Sequence, residues 1–168
     1  MKFSTRITTG EIFQFLMSHA YAGLSGKIGL VISFVGAVLF VKALPGGFAG
    51  NETNMLIYAI LAVTFTVINP FLLFTKAKKQ KLTNPAYKTD MEYELSDEGI
   101  HLQAAGQEGD LPWDYIVQIR ETKGLYILYT TRINAFIWPK KDVNSDIMKY
   151  ALAHIDTNQV KLPKSMRG

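Results

Sequence analysis

The apolar residues of this 168-residue chain gather in two long runs, and then the pattern changes period. Met55–Phe74 holds twenty residues without a charge and is closed by Lys76, Lys78, Lys79 and Lys81. At about 1.5 Å of rise per residue it covers about 30 Å, the hydrocarbon thickness of a bilayer, and predicts a transmembrane helix over 55–74. An earlier run, Ile28–Val41, is bounded by Lys27 and Lys42. Extended to 24–44 it reaches the same length if both lysines stretch toward headgroups. A buried or re-entrant helix is the competing reading. Pro45–Asn54 between the runs reads as a turn by composition. Ahead of them Met1–Thr8 alternates like a strand, and Thr9 offers an N-cap for a one-sided helix with Glu11 in its first turn. Residues 1–23 therefore read as a strand and an amphipathic helix, cytosolic or interfacial. A cleavable leader fits badly, because about twenty mixed residues precede the first apolar run.

From Asn84-Pro85 the period becomes two. Met91, Tyr93 and Leu95 alternate with Glu92 and Glu94; Ile100, Leu102 and Ala104 alternate with His101 and Gln103. With Ser96–Gly99 as the turn, these runs predict a hairpin. A second turn is expected over Gly106–Gly109, with a short edge strand at Asp110–Pro112, where proline is tolerated. A single helical turn or bend is expected at Trp113–Ile116. Further strands are predicted around Val117–Arg120, Leu125–Tyr129 and Ala135–Trp138. Asp142 can cap a last helix in which Val143, Ile147, Ala151 and Ile155 recur every four residues, with Met148 and Leu152 beside them. Lys161–Gly168 reads as a basic tail. The predicted fold class is α+β: a two-helix transmembrane hairpin, then a domain over 83–160. That domain is a pleckstrin-homology-like antiparallel barrel or sheet capped by a C-terminal helix, which Met1–Thr8 can join.

Charge sharpens this division. Residues 1–82 carry eight Lys/Arg against two Glu, whereas residues 83–168 carry ten Lys/Arg against twelve Asp/Glu. The basic balance belongs to the segments flanking the apolar runs, which argues against a nucleic-acid partner for the folded domain. Lys2, Arg6 and Lys27 precede the hairpin and five lysines fall within Lys76–Lys88, whereas Pro45–Asn54 holds no Lys or Arg. Both termini are therefore expected in the cytoplasm and the loop outside. Asn51-Glu52-Thr53 has the glycosylation pattern, but such triplets arise by chance and the loop is short. Gly46–Gly50 lacks the Lys-Ser/Thr of a phosphate loop. With no cysteine, disulfides, thiol nucleophiles and Cys-based zinc sites are excluded.

The chemistry-bearing residues are sparse. His19, His101 and His154 have no metal-ligand spacing, and Glu92 and Glu94 share what looks like a solvated strand face. No nucleophile elbow, Walker loop or HExxH occurs, and the spans hold no internal ionisable residue of the kind an ion pathway needs. No catalytic, cofactor or metal residues are assigned, and an enzyme is not expected. Three sets of interaction candidates follow. Gly29, Ser33, Gly36 and Ala37 lie near one helical face and let another helix approach, in the hairpin or in a homo-oligomer. Lys76, Lys78, Lys79 and Lys81 can contact anionic lipid or serve only as the topology signal. Trp113 reads first as a core residue; exposed, it would join Trp138, Pro139 and Lys140 in an interaction patch. Asn69-Pro70 is expected to kink the second span.

The order of these elements, with "YELSDEGI" at Tyr93–Ile100, "LPWDYIVQIRET" at Leu111–Thr122 and "FIWPKKD" at Phe136–Asp142, resembles the YcxB-like bacterial membrane proteins. The resemblance implies a two-span protein of the bacterial plasma membrane with a cytosolic pleckstrin-homology-like domain, and brings no catalytic residues. The expected function is that of a non-enzymatic membrane protein presenting an interaction domain to a protein partner or an anionic lipid at the bilayer. The other reading is a structural or assembly subunit acting through its hairpin.

Overall fold

The computed structural model describes residues 1–46, 51–156 and 163. Residues 47–50 of the expected Pro45–Asn54 turn, and all of the 161–168 tail except Pro163, lie outside the described residues. The chain divides into two units: Met1–Phe15 with Lys78–Gly168, and Leu16–Ala77. The second is thus an insertion in the first.

Among the described residues the larger unit has seven antiparallel strands in two sheets. β1 (Lys2–Thr5), β2 (Met91–Leu95), β3 (Gly99–Ala104) and β4 (Gln107–Pro112) form one sheet in that order; β5 (Gln118–Glu121), β6 (Leu125–Tyr129) and β7 (Ala135–Pro139) form the other. The barrel expected as one alternative does not close. No ladder joins β4 to β5, because Pro112 lacks a donor and the 3-10 turn Trp113–Tyr115 redirects the chain. The N-terminal strand does join the sheet, with Phe3 opposite Tyr93. The second hairpin differs from expectation. It turns at Ala105-Gly106, both with positive φ, as a two-residue primed turn requires, so β4 begins at Gln107. Its polar residues Gln107–Asp110 hide the strand from a hydrophobicity pattern because β4 ends the sheet and is largely exposed.

Alternation fixes which side chains enter the core. Met91, Tyr93 and Leu95 are buried while Glu92 and Glu94 are exposed. Phe3 stacks on Tyr93 at 4.8 Å between centroids, and Trp138 of β7 meets both rings edge-on at 5.1 and 5.7 Å. This trio spans the two sheets, and such pairs add to their area burial. The last helix, α5 (Ser145–His154), buries Ile147, Met148 and Ala151, flanked by buried Val143 and Ile155. Asn144 rather than Asp142 caps it, its Oδ1 accepting from the N–H groups of Asp146 and Ile147.

The helices are α1 (Thr9–Ala22), α2 (Leu24–Ala43), α3 (Glu52–Val63) and α4 (Asn69–Thr83). Thr8, not Thr9, caps α1: Glu11 Oε2 accepts from the Thr8 N–H at 2.7 Å and from its hydroxyl at 2.9 Å, and the Glu11 N–H donates to the Thr8 hydroxyl at 3.3 Å. This is a capping box, Thr8-x-x-Glu11. A π turn, Thr64–Ile68, links α3 to α4, so one helical path runs from Glu52 to Thr83. The predicted 55–74 segment forms only part of it. Among the described residues two helices, Leu24–Ala43 and Glu52–Thr83, are long and apolar enough to cross a membrane, each with an 18-residue stretch of mean hydropathy 2.1.

Candidate functional site

In the inserted unit the small residues of α2 decide how it packs. Gly26, Gly29, Ser33 and Gly36 are buried, spaced three, four and three residues apart, which keeps them on one face. A Cβ at Gly36 would lie 2.7 Å from the Leu61 Cβ and 2.8 Å from the Ala62 N, and one at Gly29 would overlap the Phe65 ring. Of the four residues marked from the sequence as a packing face, Gly29, Ser33 and Gly36 are buried against this partner and Ala37 is exposed. Gly26, also buried, closes on the Ala20 carbonyl and Tyr21 instead, and the sequence reading did not mark it.

Ser33 does more than allow close approach. Its hydroxyl donates to the Leu61 carbonyl at 2.8 Å and accepts the Phe65 N–H at 3.1 Å. In an unbroken α-helix that N–H would bond that carbonyl directly, so the hydroxyl is inserted into the ladder. One turn later the Asn69 N–H reaches back five residues to the Thr64 carbonyl. The Phe65 carbonyl loses its donor and instead accepts the Tyr21 hydroxyl at 2.6 Å; the Asn69 side-chain amide donates to that hydroxyl at 2.9 Å. Thr64 and Thr66 hydroxyls donate back to Ile60 and Ala62 carbonyls. Pro70 supplies the cause, since it brings no N–H and its ring crowds the preceding turn. The expected kink is thus realised as a π turn whose freed backbone groups are met by Ser33 and Tyr21, as an apolar setting demands.

The four residues considered as a surface patch in the larger unit do not form one. Trp113, Trp138 and Pro139 are buried. The Trp113 indole N–H donates to the Ser96 carbonyl at 3.0 Å and its ring stacks on His154 at 5.7 Å, tying the β2–β3 turn to α5. Lys140 is half-buried, paired with Glu121 at 2.5 Å and set over the Tyr126 ring at 4.9 Å. Burial pushes the Tyr93 hydroxyl well above its ordinary value.

Asp97 accepts from the Tyr150 hydroxyl at 2.8 Å and faces His154 Nε2 at 3.1 Å, and these hydrogen bonds hold its carboxyl below the usual range. His101 sits 2.7 Å from Asp110 across the β3–β4 ladder, and that hydrogen bond raises the imidazole's value. Glu92 and Glu94 point to solvent, Glu94 pairing with Lys2 at 2.9 Å. Among the described residues no three His, Cys, Asp or Glu gather as a metal would need. Of the four lysines considered for lipid, Lys76, Lys78 and Lys79 are exposed, and half-buried Lys81 donates to the Tyr87 carbonyl.

Residues 95–150, from the end of β2 into α5, match the family model described as YcxB-like protein. This segment is YcxB-like. It contains Leu111–Thr122 and Phe136–Asp142 whole and the Leu95–Ile100 part of the first motif, and it excludes β1 and the helical insertion. No curated protein and no solved structure matches the chain. Within the YcxB-like segment the two tryptophans are core residues, Trp113 at a chain crossing and Trp138 in the aromatic trio.

Proposed function

We propose that this YcxB-like chain is a non-enzymatic integral membrane protein. In this reading the two long apolar helices form a hairpin in the bacterial plasma membrane. The β-rich unit is presented in the cytoplasm as an interaction module for a protein partner or an anionic lipid. The observation that carries it is where the apolar side chains point. Phe34 is 70% exposed, Val31 61%, Leu56 62% and Phe71 64%, on the two long apolar helices. Water would penalise such a surface, whereas lipid tails would solvate it. The lysines flanking the hairpin and the lysine-free loop favour cytoplasmic ends.

The module reading rests on shape and on chemistry. A four-stranded and a three-stranded antiparallel sheet followed by one helix supports the reading of a pleckstrin-homology-like domain. The polar clusters described above tie elements together rather than converge on a cleft. A role in assembly through the small-residue face is the weaker reading, because Gly29, Ser33 and Gly36 are already covered within the hairpin. Alkaline carbonate treatment of membranes from cells making the full chain tests the anchor. The protein should stay in the pellet; release into the supernatant would overturn the reading.

A further inference from the structure

The larger unit has a second feature that the module reading does not use, an open cleft of about 650 Å³. Its charged lining is entirely cationic: Arg6, from the β1–α1 connection; Lys81, from the end of α4; Lys88, before β2; and Lys141, after β7. Lys81 closes the lysine-rich run and Lys88 follows it by seven residues, whereas Arg6 lies 75 residues before Lys81 and Lys141 60 residues after it, so the fold brings these last two to the cleft. Thr9 lines the same cleft as the first residue of α1, whose leading N–H groups have no intrahelical acceptor. Leu82, exposed beside Lys81, adds an apolar side chain.

Neighbouring carboxylates neutralise this only in part. Glu11 pairs with Lys141 at 2.8 Å, Asp90 lies 3.6 Å from Arg6 in an exposed contact, and Asp142 adjoins Lys141. Among the described residues the Lys88 ammonium has no ion-pair or hydrogen-bond partner, its backbone N–H alone donating to the Pro85 carbonyl, and the Lys81 ammonium donates only to a backbone carbonyl. Two cations therefore face the cleft uncompensated, which favours an anion with several acceptor oxygens. Lys81 follows Phe74, the end of the apolar run, by seven residues of one helix, about 10 Å of rise. A headgroup layer is about 5–8 Å thick, and a lysine stem reaches across the remainder.

We infer that this cleft binds the phosphate of an anionic phospholipid headgroup, with Lys81 and Lys88 as its principal contacts and Arg6 and Lys141 at its rim. The source of the ligand rests on the membrane-anchor reading; the phosphate chemistry does not. The test uses the full chain in mixed micelles of neutral detergent with phosphatidylglycerol or phosphatidylcholine, with retained lipid measured by native mass spectrometry. This readout does not require the helices to span a bilayer, so its failure is separable from failure of the carbonate test.

The wild type should retain phosphatidylglycerol in preference to phosphatidylcholine. K88Q should weaken that retention roughly fivefold, and K81Q/K88Q roughly twenty-five-fold, at about one such factor per removed charge. K123Q/K149Q, which removes two charges away from the cleft, should leave retention unchanged. Equal retention of both lipids, wild-type behaviour of K88Q and K81Q/K88Q, or an equal loss in K123Q/K149Q would overturn the assignment. Displacement of the lipid by an equal concentration of inorganic phosphate would also overturn it, and would make the cleft a site for soluble phosphate.

Discussion

Ser33 shows how much one hydroxyl can carry in an apolar hairpin. It replaces a missing backbone hydrogen bond by donating to Leu61 and accepting from Phe65. Ser33→Ala would leave that carbonyl and that N–H facing each other without a bridge. The expected cost is about 1 kcal/mol, the scale of interhelical hydrogen bonds in membranes, read as a lower midpoint in detergent-denaturant unfolding. Ser33→Thr, which keeps the hydroxyl, separates lost bonding from lost size. The sequence marked Ser33 only as a small residue. The inserted bond was not legible because it depends on the π turn, and a π turn leaves no residue pattern beyond Pro70. Trp113 was legible as a core residue, since an indole beside an edge strand has one apolar place to go. Its bond to the Ser96 carbonyl was not, because that contact spans seventeen residues.

At the level of elements, alternation located β2 because one face is buried and the other solvated, whereas β6 and β7 bury the adjacent residues Ile127–Tyr129 and Ile137–Pro139 and are legible as short apolar runs. Alternation failed at β4, where Gln107–Asp110 has little apolar content to alternate. Caps were misplaced by one or two residues. Thr9 drew the reading because it begins the helix, whereas the reciprocal Thr8–Glu11 pairing needed the three-residue spacing to be noticed. Burial raises the Glu11 carboxyl, but hydrogen bonds from Lys141 and from the Thr8 N–H and hydroxyl outweigh it and leave it below the ordinary 4.5. A carboxyl lowered in the folded state stabilises above its unfolded value and loses that contribution as pH falls through the folded one. Stability of the full chain should therefore fall on acidification below about pH 4.5, and Glu11→Gln should be less stable at neutral pH with a flatter acid limb. Equal acid limbs in thermal melts of the two proteins would contradict this. Thr8→Ala should cost about 1 kcal/mol at neutral pH.

For the whole molecule, the instructive feature is that β1 lies on one side of the insertion in sequence and β2 on the other. Phe3 and Tyr93 are ninety residues apart yet stack at 4.8 Å. The alternation of Met1–Thr8 suggested a strand; its partner could not be read, because pairing across a long insertion leaves no local signal. Phe3→Ala should therefore destabilise the β-rich unit, although residue 3 is remote from it in sequence. Half-burial puts the loss at about 2 kcal/mol, below the cost of truncating a fully buried ring. A mutant melting like wild type would show that β1 contributes little. The cationic cleft was hidden as a cluster: Lys81 reads as one of a lysine run that can contact anionic lipid, but nothing local brings Arg6, Lys88 and Lys141 to it.

The central claim is a hairpin whose loop faces out and whose β-rich unit faces the cytoplasm. Because the chain has no cysteine, single substitutions report on sidedness without background. The most direct measurement is labelling of Asn51→Cys and Lys123→Cys in intact cells with a membrane-impermeant maleimide. Asn51→Cys should react in intact cells, and Lys123→Cys only after the membrane is opened. Labelling of Lys123→Cys in intact cells, or protection of Asn51→Cys until lysis, would contradict the account.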